Sequence, residues 1–404
     1  MNPWPLLVLA GVTLAGWMVA VLHPGILTRL GIGATEMWFL DTHAVLAACD
    51  AHAVGLPPDA SNPLDVYGRP HSYSDWWFVL GSLGLGRDHN FMLGLSWVAL
   101  FLFSALWALR PRNWPQAAVG VALLLSPPVL LAVQRGNNDL VVFFLLAVAG
   151  GVMRAKGWWR LVVAGLSIGL ATGLKFYPAA ASALFLVLPG RRERIVATLV
   201  GGAVAALVLA SVWSSVSRGF FAIPLDVHKV GAAVLLTDMG LVSPVWKLVA
   251  AVLVLGAGLG VARSGWFAWR SPDGEADQAG RAWFTLAAAV TVGCFLVGIG
   301  HAYRWIILLL IPAWLFASTA STLRGRRGRL LVWILLFAVL WGDGLFCLFV
   351  NARFIPTSQE VIYEWAKVWR LCSQPVHWMF VILLGGWLWR LGLDALKPDE
   401  KPAA

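Results

Sequence analysis

The chain is 404 residues long, 59% hydrophobic and only 12% Asp, Glu, Lys or Arg, with 24 tryptophans and a formal charge of +10. A soluble domain carries roughly 25% charged residues, so neither an ordinary soluble enzyme nor a disordered chain fits. The mean hydropathy of +0.77 instead indicates an all-α polytopic membrane protein. The positive charge forms no basic patch with interleaved aromatics, so nucleic acid is not an expected partner.

A helix needs roughly 20 apolar residues to cross a bilayer. Apolar runs fall at 4–22, 91–109, 115–133, 139–153, 161–174, 177–189, 195–214, 246–263, 282–299, 304–320, 330–349 and 376–392. This predicts about 12 transmembrane helices in a single integral-membrane domain spanning 1–404. The first segment lacks a basic flank and a small-residue cleavage site, and reads as a retained helix. The fourth to sixth segments are short, and 161–174 and 177–189 meet at Lys175-Phe176-Tyr177-Pro178, which reads as an outer turn. Short segments broken by Gly or Pro commonly line polar cavities rather than face lipid.

The connections after even-numbered segments, with the C-terminal tail, hold 18 of the 30 basic residues, from Arg110 to Lys401. Thirteen of the 20 acids lie elsewhere. Basic residues mark the cytoplasmic side, which puts both termini inside. The outer connections are then 23–90, 215–245 and 350–375, the first of them long, aromatic and acidic. Loops of that length are commonly functional.

Glu36 and Asp41, in Glu-Met-Trp-Phe-Leu-Asp-Thr-His, sit at the outer membrane edge among apolar residues, where a carboxylate suits a general base. Asp41 is the stronger candidate, with a helix cap or an interfacial acid as the alternative. Asp50 and His52 offer two metal ligands without a third. The polar turn Gln134-Arg135-Gly136-Asn137-Asn138-Asp139 opens straight into an apolar run, so it is expected either to touch substrate at membrane depth or to be a capped hairpin. Lys175 suits a phosphate as a point charge, or else snorkels to the headgroups. His301, Tyr303 and Arg304 bring an imidazole, a phenol and a guanidinium to the outer end of two helices, as anion ligands or as part of an aromatic belt.

Three further expectations are weaker in chemistry. Glu360, Glu364, Lys367 and Arg370 have helical spacing and read as a solvated face. Asp343, in Trp341-Gly342-Asp343-Gly344, reads as buried and placed to face an arginine. Cys49, Cys294, Cys347 and Cys372 show no metal spacing, though Cys49 and Cys372 fall in polar segments where they could pair.

Taken together, Asp41, Tyr67-Gly68-Arg69-Pro70, Arg135-Gly136-Asn137-Asn138, Gly173-Leu174-Lys175-Phe176-Tyr177-Pro178 and His301-Ala302-Tyr303-Arg304 resemble glycosyltransferase family 87 in order and spacing. The likeness is good over 36–190 and loose over 296–312. It implies a GT-C-type bundle with a long first outer loop, a polyprenyl-phosphate sugar donor (mannose), Asp41 as general base and Lys175 at the donor phosphate. Where that family more often has Arg-Gly-Gln-x-Asn, this chain has Arg-Gly-Asn-Asn-Asp.

The expected function is therefore an inverting hexosyltransferase in a bacterial inner (plasma) membrane, active on its outer face. Its partners are a polyprenyl-phosphate sugar and a lipid or glycan acceptor. Lys175, Arg304, His301 and Arg135 are expected at the donor phosphate, and Asn137, Asn138, Asp139, Tyr177 and Tyr303 at substrate. No cofactor or metal is expected, because one or two cations balance a monophosphate leaving group. The alternatives are a secondary transporter or lipid flippase, which predicts duplicated halves, and a lipid-linked glycan ligase or polymerase, which favours a large loop late in the chain.

Overall fold

The computed structural model describes residues 2–33, 37–219, 229–241, 243–270, 278–297, 300–353 and 359–397. Glu36, Gly298 and Ile299 lie outside them, as do the side chains of Glu360 and Glu364. The described chain is mostly helical. Each of the twelve apolar segments is helical, but among the described residues seven helices are long and apolar enough to cross a membrane: Trp4–Leu22, Arg87–Leu109, Arg191–Ser211, Pro244–Arg263, Gln278–Val297, Leu323–Asn351 and Trp365–Leu396.

The remaining segments correct the uniform picture of twelve spans. Asp139–Gly151 is a helix of 13 residues, which at 1.5 Å per residue covers about 20 Å of a hydrocarbon core of about 30 Å. Trp159–Leu174, Tyr177–Val187 and Ala302–Ala317 are also short. Residues 115–133 were expected as one span. They form Trp114–Leu124 and Pro127–Arg135, bent by 56°. The cause is Pro127-Pro128, since proline lacks an N–H and disfavours helical geometry in the residue before it. The freed Leu124 carbonyl, four residues before Pro128, accepts the Trp17 indole N–H at 3.0 Å. The Leu123 carbonyl accepts the Ser126 hydroxyl at 2.7 Å. A break at membrane depth persists because protein donors replace the missing backbone ones.

Gln278–Val297 is the central helix, 72% buried, and packs on Asp139–Gly151, Tyr177–Val187, Ala302–Leu310 and Gln359–Leu396. Arg191–Ser211 is only 6% buried and presents its apolar side chains outward. Two miniature antiparallel pairings clip the ends of the bundle. Lys229–Val230 pairs with Gly300–His301, and Trp269–Arg270 pairs with Thr319–Ala320. Because Gln278–Val297 runs from the second pairing to the first, the two lie at opposite ends.

The long first connection is itself structured. It holds the helix Leu40–Ala53 and the 3-10 turn Asp75–Phe78, capped by the Ser74 hydroxyl. Much of the expected 350–375 connection is helix, because Gln359–Leu396 runs 38 residues and extends beyond the apolar stretch that marked it. Arg370, expected on a solvated face, is buried and grips Asp238 bidentately at 2.8 and 2.9 Å. The helix Ala232–Asp238 docks there and covers it. Asp343, expected to face an arginine, is buried and takes the Trp369 indole N–H at 2.7 Å. All four cysteines are free, so Cys49 and Cys372 do not pair. Cys49 is buried against the Trp77 carbonyl, and Cys372 is exposed. Asp50 bonds to Arg87, and His52 stacks on Phe78.

Candidate active site

Asp41 lies in the first turn of Leu40–Ala53, where an acid complements the helix dipole. The helix starts abruptly because Phe39 takes left-handed backbone angles (φ 57°). Its N–H bonds to the Gln134 carbonyl, and the Thr42 hydroxyl donates to the Gly136 carbonyl at 2.7 Å. Gly136 is also left-handed (φ 53°), and a Cβ there would stand 2.8 Å from Phe39 Cβ. These bonds join the loop helix to the polar turn after Pro127–Arg135, and the join sets the position of the carboxylate.

Asp41 is 2% exposed. Arg135 donates Nε to Oδ2 at 2.9 Å and a terminal nitrogen to Oδ1 at 2.6 Å, and Asn137 Nδ2 donates to Oδ2 at 2.5 Å. Arg135, expected at a donor phosphate, is thus placed on Asp41. Each carboxylate oxygen accepts about two hydrogen bonds, so Oδ2 is filled and Oδ1 keeps room for one donor. Arg69 approaches Oδ1 at 3.8 Å. It is anchored by two bonds to Asp65, at 2.8 and 2.9 Å, and by one to the Leu40 carbonyl. Burial alone would raise the Asp65 pKa, but the bonds from Arg69 hold that carboxyl below its ordinary value. Burial pushes the nearby Tyr73 phenol well up, and the Asp41 charge adds to the shift.

A second acid stands beside the first. Asp139 is fully buried at the start of its helix, and its Oδ1 receives both the Lys175 ammonium and the Tyr177 hydroxyl at 2.5 Å. Asn137 bridges the two acids. Its amide nitrogen serves Asp41, while its oxygen accepts the Asp139 N–H at 2.9 Å and Lys175 at 3.4 Å. Lys175 ends Trp159–Leu174 in an extended conformation, and its Nζ lies 5.5 Å from the Tyr73 ring and 5.6 Å from the Tyr303 ring. The Trp77 indole bonds to the Leu174 carbonyl and ties this corner to the long first connection.

The third part comes from the segment after the central helix. The Arg304 guanidinium lies 5.3 Å from the Tyr177 ring and folds back against Gly300. Its Nε is buried without a hydrogen-bond partner, and no carboxylate among the described residues pairs with it. His301 stacks on Tyr303 with ring centres 5.0 Å apart. Buried polar atoms elsewhere in the cluster also lack partners: Asp139 Oδ2 and both ends of the Asn138 amide. Such orphans are expensive unless a ligand or water satisfies them.

The structure therefore brings together Asp41, Arg135, Asn137, Asp139, Lys175, Tyr177, Tyr303 and Arg304 in one contact network at the bundle end, with His301 stacked on its edge and Asn138 buried in the same turn. Sequence reasoning gave no role to Asp65, Tyr73 or Lys229. It quoted Arg69 only as part of a motif, although the Asp65–Arg69 spacing of four was visible. Among the described residues no group of three His, Cys, Asp or Glu side chains stands at metal-holding spacing. Among the described residues, Arg69, Arg135 and Lys175 pair with Asp65, Asp41 and Asp139, and Arg304 pairs with no carboxylate.

One end of this multi-pass helical bundle thus holds a buried acid and a guanidinium that has no carboxylate partner among the described residues, groups whose chemistry suits a proton acceptor and an anion ligand. The family model of glycosyltransferase family 87 matches residues 89–298, more than half of the chain. The chain belongs to that family and is a glycosyltransferase of the membrane. The matched stretch contains Arg135, Asn137, Asp139, Lys175 and Tyr177, while Asp41 and Arg304 flank it. Comparison with curated proteins and with solved structures gives no match.

Proposed function

We propose that this glycosyltransferase moves a sugar, mannose by family resemblance, from a polyprenyl phosphate to a lipid or glycan acceptor, and inverts the anomeric carbon. The observation that carries the proposal is Arg304, a guanidinium with no carboxylate partner among the described residues, in the same cluster as the Lys175–Asp139 pair and the buried Asp41. A sugar phosphodiester carries one negative charge and matches that guanidinium.

Asp41 Oδ1 accepts the proton of the acceptor hydroxyl as that oxygen attacks the anomeric carbon. The bond from this carbon to the phosphate oxygen breaks, and the electron pair leaves with the phosphate. Arg135 and Asn137 hold the carboxylate on its other lone pairs, so its open oxygen is fixed in direction. Lys175 and Arg304 hold the phosphate, and the unpartnered Asn138 and Asp139 atoms take sugar hydroxyls. Positioning and charge stabilisation provide most of the acceleration. Family membership favours this reading over a transporter or flippase.

The site lies at the bundle end opposite the Arg-rich connections, which supports an outer-face reaction with cytoplasmic termini in a bacterial inner membrane. The test is transfer by the purified protein in liposomes, offered radiolabelled polyprenyl-phosphate mannose in one arm and nucleotide sugars in the other. Transfer from the lipid donor is expected, and consumption of nucleotide sugars alone refutes the reading.

A further inference from the structure

A groove that the transfer reaction does not use lies in the half of the bundle that holds the site. The helix Leu323–Arg353 begins at the far end, just after Thr319–Ala320, so its second half runs towards the site. There Ala338, Gly342, Leu345 and Phe349 recur at steps of four, three and four residues, which sets them on one helical face. Gln359–Leu396 runs back the other way, with Trp387 stacked on Trp269 at the far end. Its site-end half answers with Trp369, Cys372 and Val376, at steps of three and four. The two faces and Ala122 bound a cavity of about 870 Å³, within the range of about 300–1,000 Å³ that holds a whole small ligand.

Phe346 stacks on Trp369 with ring centres 4.7 Å apart, and the Trp341 indole bonds to the Ala122 carbonyl at 3.0 Å, which fixes the walls. Leu345 and Phe349 are 56% and 59% exposed, so the groove opens on the flank of a membrane-crossing helix, where the surroundings are lipid. Phe337 and Phe349 both line it and stand twelve residues apart. That is about 18 Å of helix, close to half of a hydrocarbon core of about 30 Å. The occupant with those dimensions is a hydrocarbon chain from one leaflet.

One polar group distinguishes its source. His377 lines the groove at 3% exposure, its ring centre 5.6 Å from that of Trp305, and its buried Nδ1 has no hydrogen-bond partner. A polyprenyl chain is hydrocarbon throughout and leaves that nitrogen unsatisfied. A lipid whose chain joins its headgroup through an ester or a hydroxyl-bearing linkage satisfies it. Asp343 and Leu345 line the groove on either side of Gly344, where a Cβ would collide with the Pro127 ring. From Pro127 the helix runs eight residues to Arg135, about 12 Å, and Arg135 holds Asp41. That interval leaves room for a headgroup between the groove and the base.

We infer that the groove binds the apolar chain of the acceptor, so the acceptor is a membrane lipid with its linkage region at His377 and a hydroxyl of its headgroup at Asp41. This rests on the transfer reaction proposed above and names its acceptor class.

The test uses purified protein in phosphatidylcholine vesicles doped with graded fractions of a total lipid extract of the source cells, with radiolabelled polyprenyl-phosphate mannose as donor. Label is expected in organic-soluble lipid. Label only in water-soluble glycans, offered in parallel, overturns the inference, whereas no transfer from this donor to either overturns the reading on which it rests. Ala338→Phe sets a ring in the groove and leaves every site residue in place. It is expected to raise the half-saturating extract fraction at least about tenfold, as the loss of two or three buried methylenes does, with the donor KM unchanged. His377→Leu is expected to raise it too, and His377→Gln to restore most of the loss. A rise in the donor KM instead gives the groove to the donor chain, and no change in either quantity leaves it to bulk lipid; both results overturn the inference. If Ala338→Phe does not fold, Gly342→Leu fills the same groove, since a Cβ there meets Trp369 at an ordinary 3.4 Å, and it is read by the same outcomes.

Discussion

Replacing Asp41 by Asn separates chemistry from architecture. The side chain keeps its shape, but one of its two oxygens becomes an amide nitrogen that cannot accept a hydrogen bond. Arg135 then keeps at most one of its two bonds, and the Asn137 amide competes with it for the remaining oxygen. Hydrogen bonds to charged groups are worth about 1.5–3 kcal/mol each. A stability loss of about that size is expected, because Asp41 is 2% exposed and the loop helix stays tied through Thr42 and Phe39. Loss of a general base costs about 10²- to 10⁴-fold in rate, equivalent to about 3–5 kcal/mol of barrier. The assay is single-turnover transfer from prebound polyprenyl-phosphate sugar in liposomes, at a temperature where the variant is fully folded. Donor affinity is expected to stay close to wild type, since the proposed mechanism sets Asp41 against the acceptor hydroxyl and not the phosphate. Transfer by Asp41→Asn within about tenfold of wild type would refute the assignment of the base.

Arg304→Gln is expected to lower donor affinity about 10- to 100-fold while thermal stability stays nearly unchanged, because among the described residues the guanidinium has no carboxylate to strand. Lys175→Met strands the buried Asp139 and is expected to cost about 3–5 kcal/mol in unfolding free energy. Adding Asp139→Asn restores stability but not transfer. Gly136→Ala forces a side chain into a left-handed position against Phe39 and Thr42; a stability loss of about 1–3 kcal/mol with reduced kcat is expected from thermal unfolding and turnover. His43, in the helix Leu40–Ala53, is held below its ordinary value of 6.5, mainly by burial. The unfolded chain then binds the proton first, so the stability of the loop falls as pH drops below 6.5 towards the lower folded value. Limited proteolysis across that window is expected to show the loss, and His43→Gln to flatten it.

The parts of the site that lie close together in the chain were readable from sequence. Lys175 before Phe176-Tyr177-Pro178, and the turn from Arg135 to Asp139, stand out because charges beside apolar runs are costly without a purpose. Their partners were not readable. Arg135 looks like a phosphate ligand until the fold sets Asp41 beside it, 94 residues away in the chain. Arg370 looks solvated until the helix Ala232–Asp238 docks on it. Lys229 sits in a segment with no local pattern, and the fold sets it against His301. The apolar segments were found because hydrophobicity is a local property. The bend at Pro127-Pro128 was visible in the sequence but not weighed, and the short helices defeat a count based on membrane thickness.

The most direct test of the central claim is the anomeric configuration of the transferred sugar, read by NMR on product made by the purified protein from a polyprenyl-phosphate sugar of known configuration. Direct displacement assisted by Asp41 predicts a product inverted at the anomeric carbon relative to the donor. A product that retains the donor configuration would contradict it.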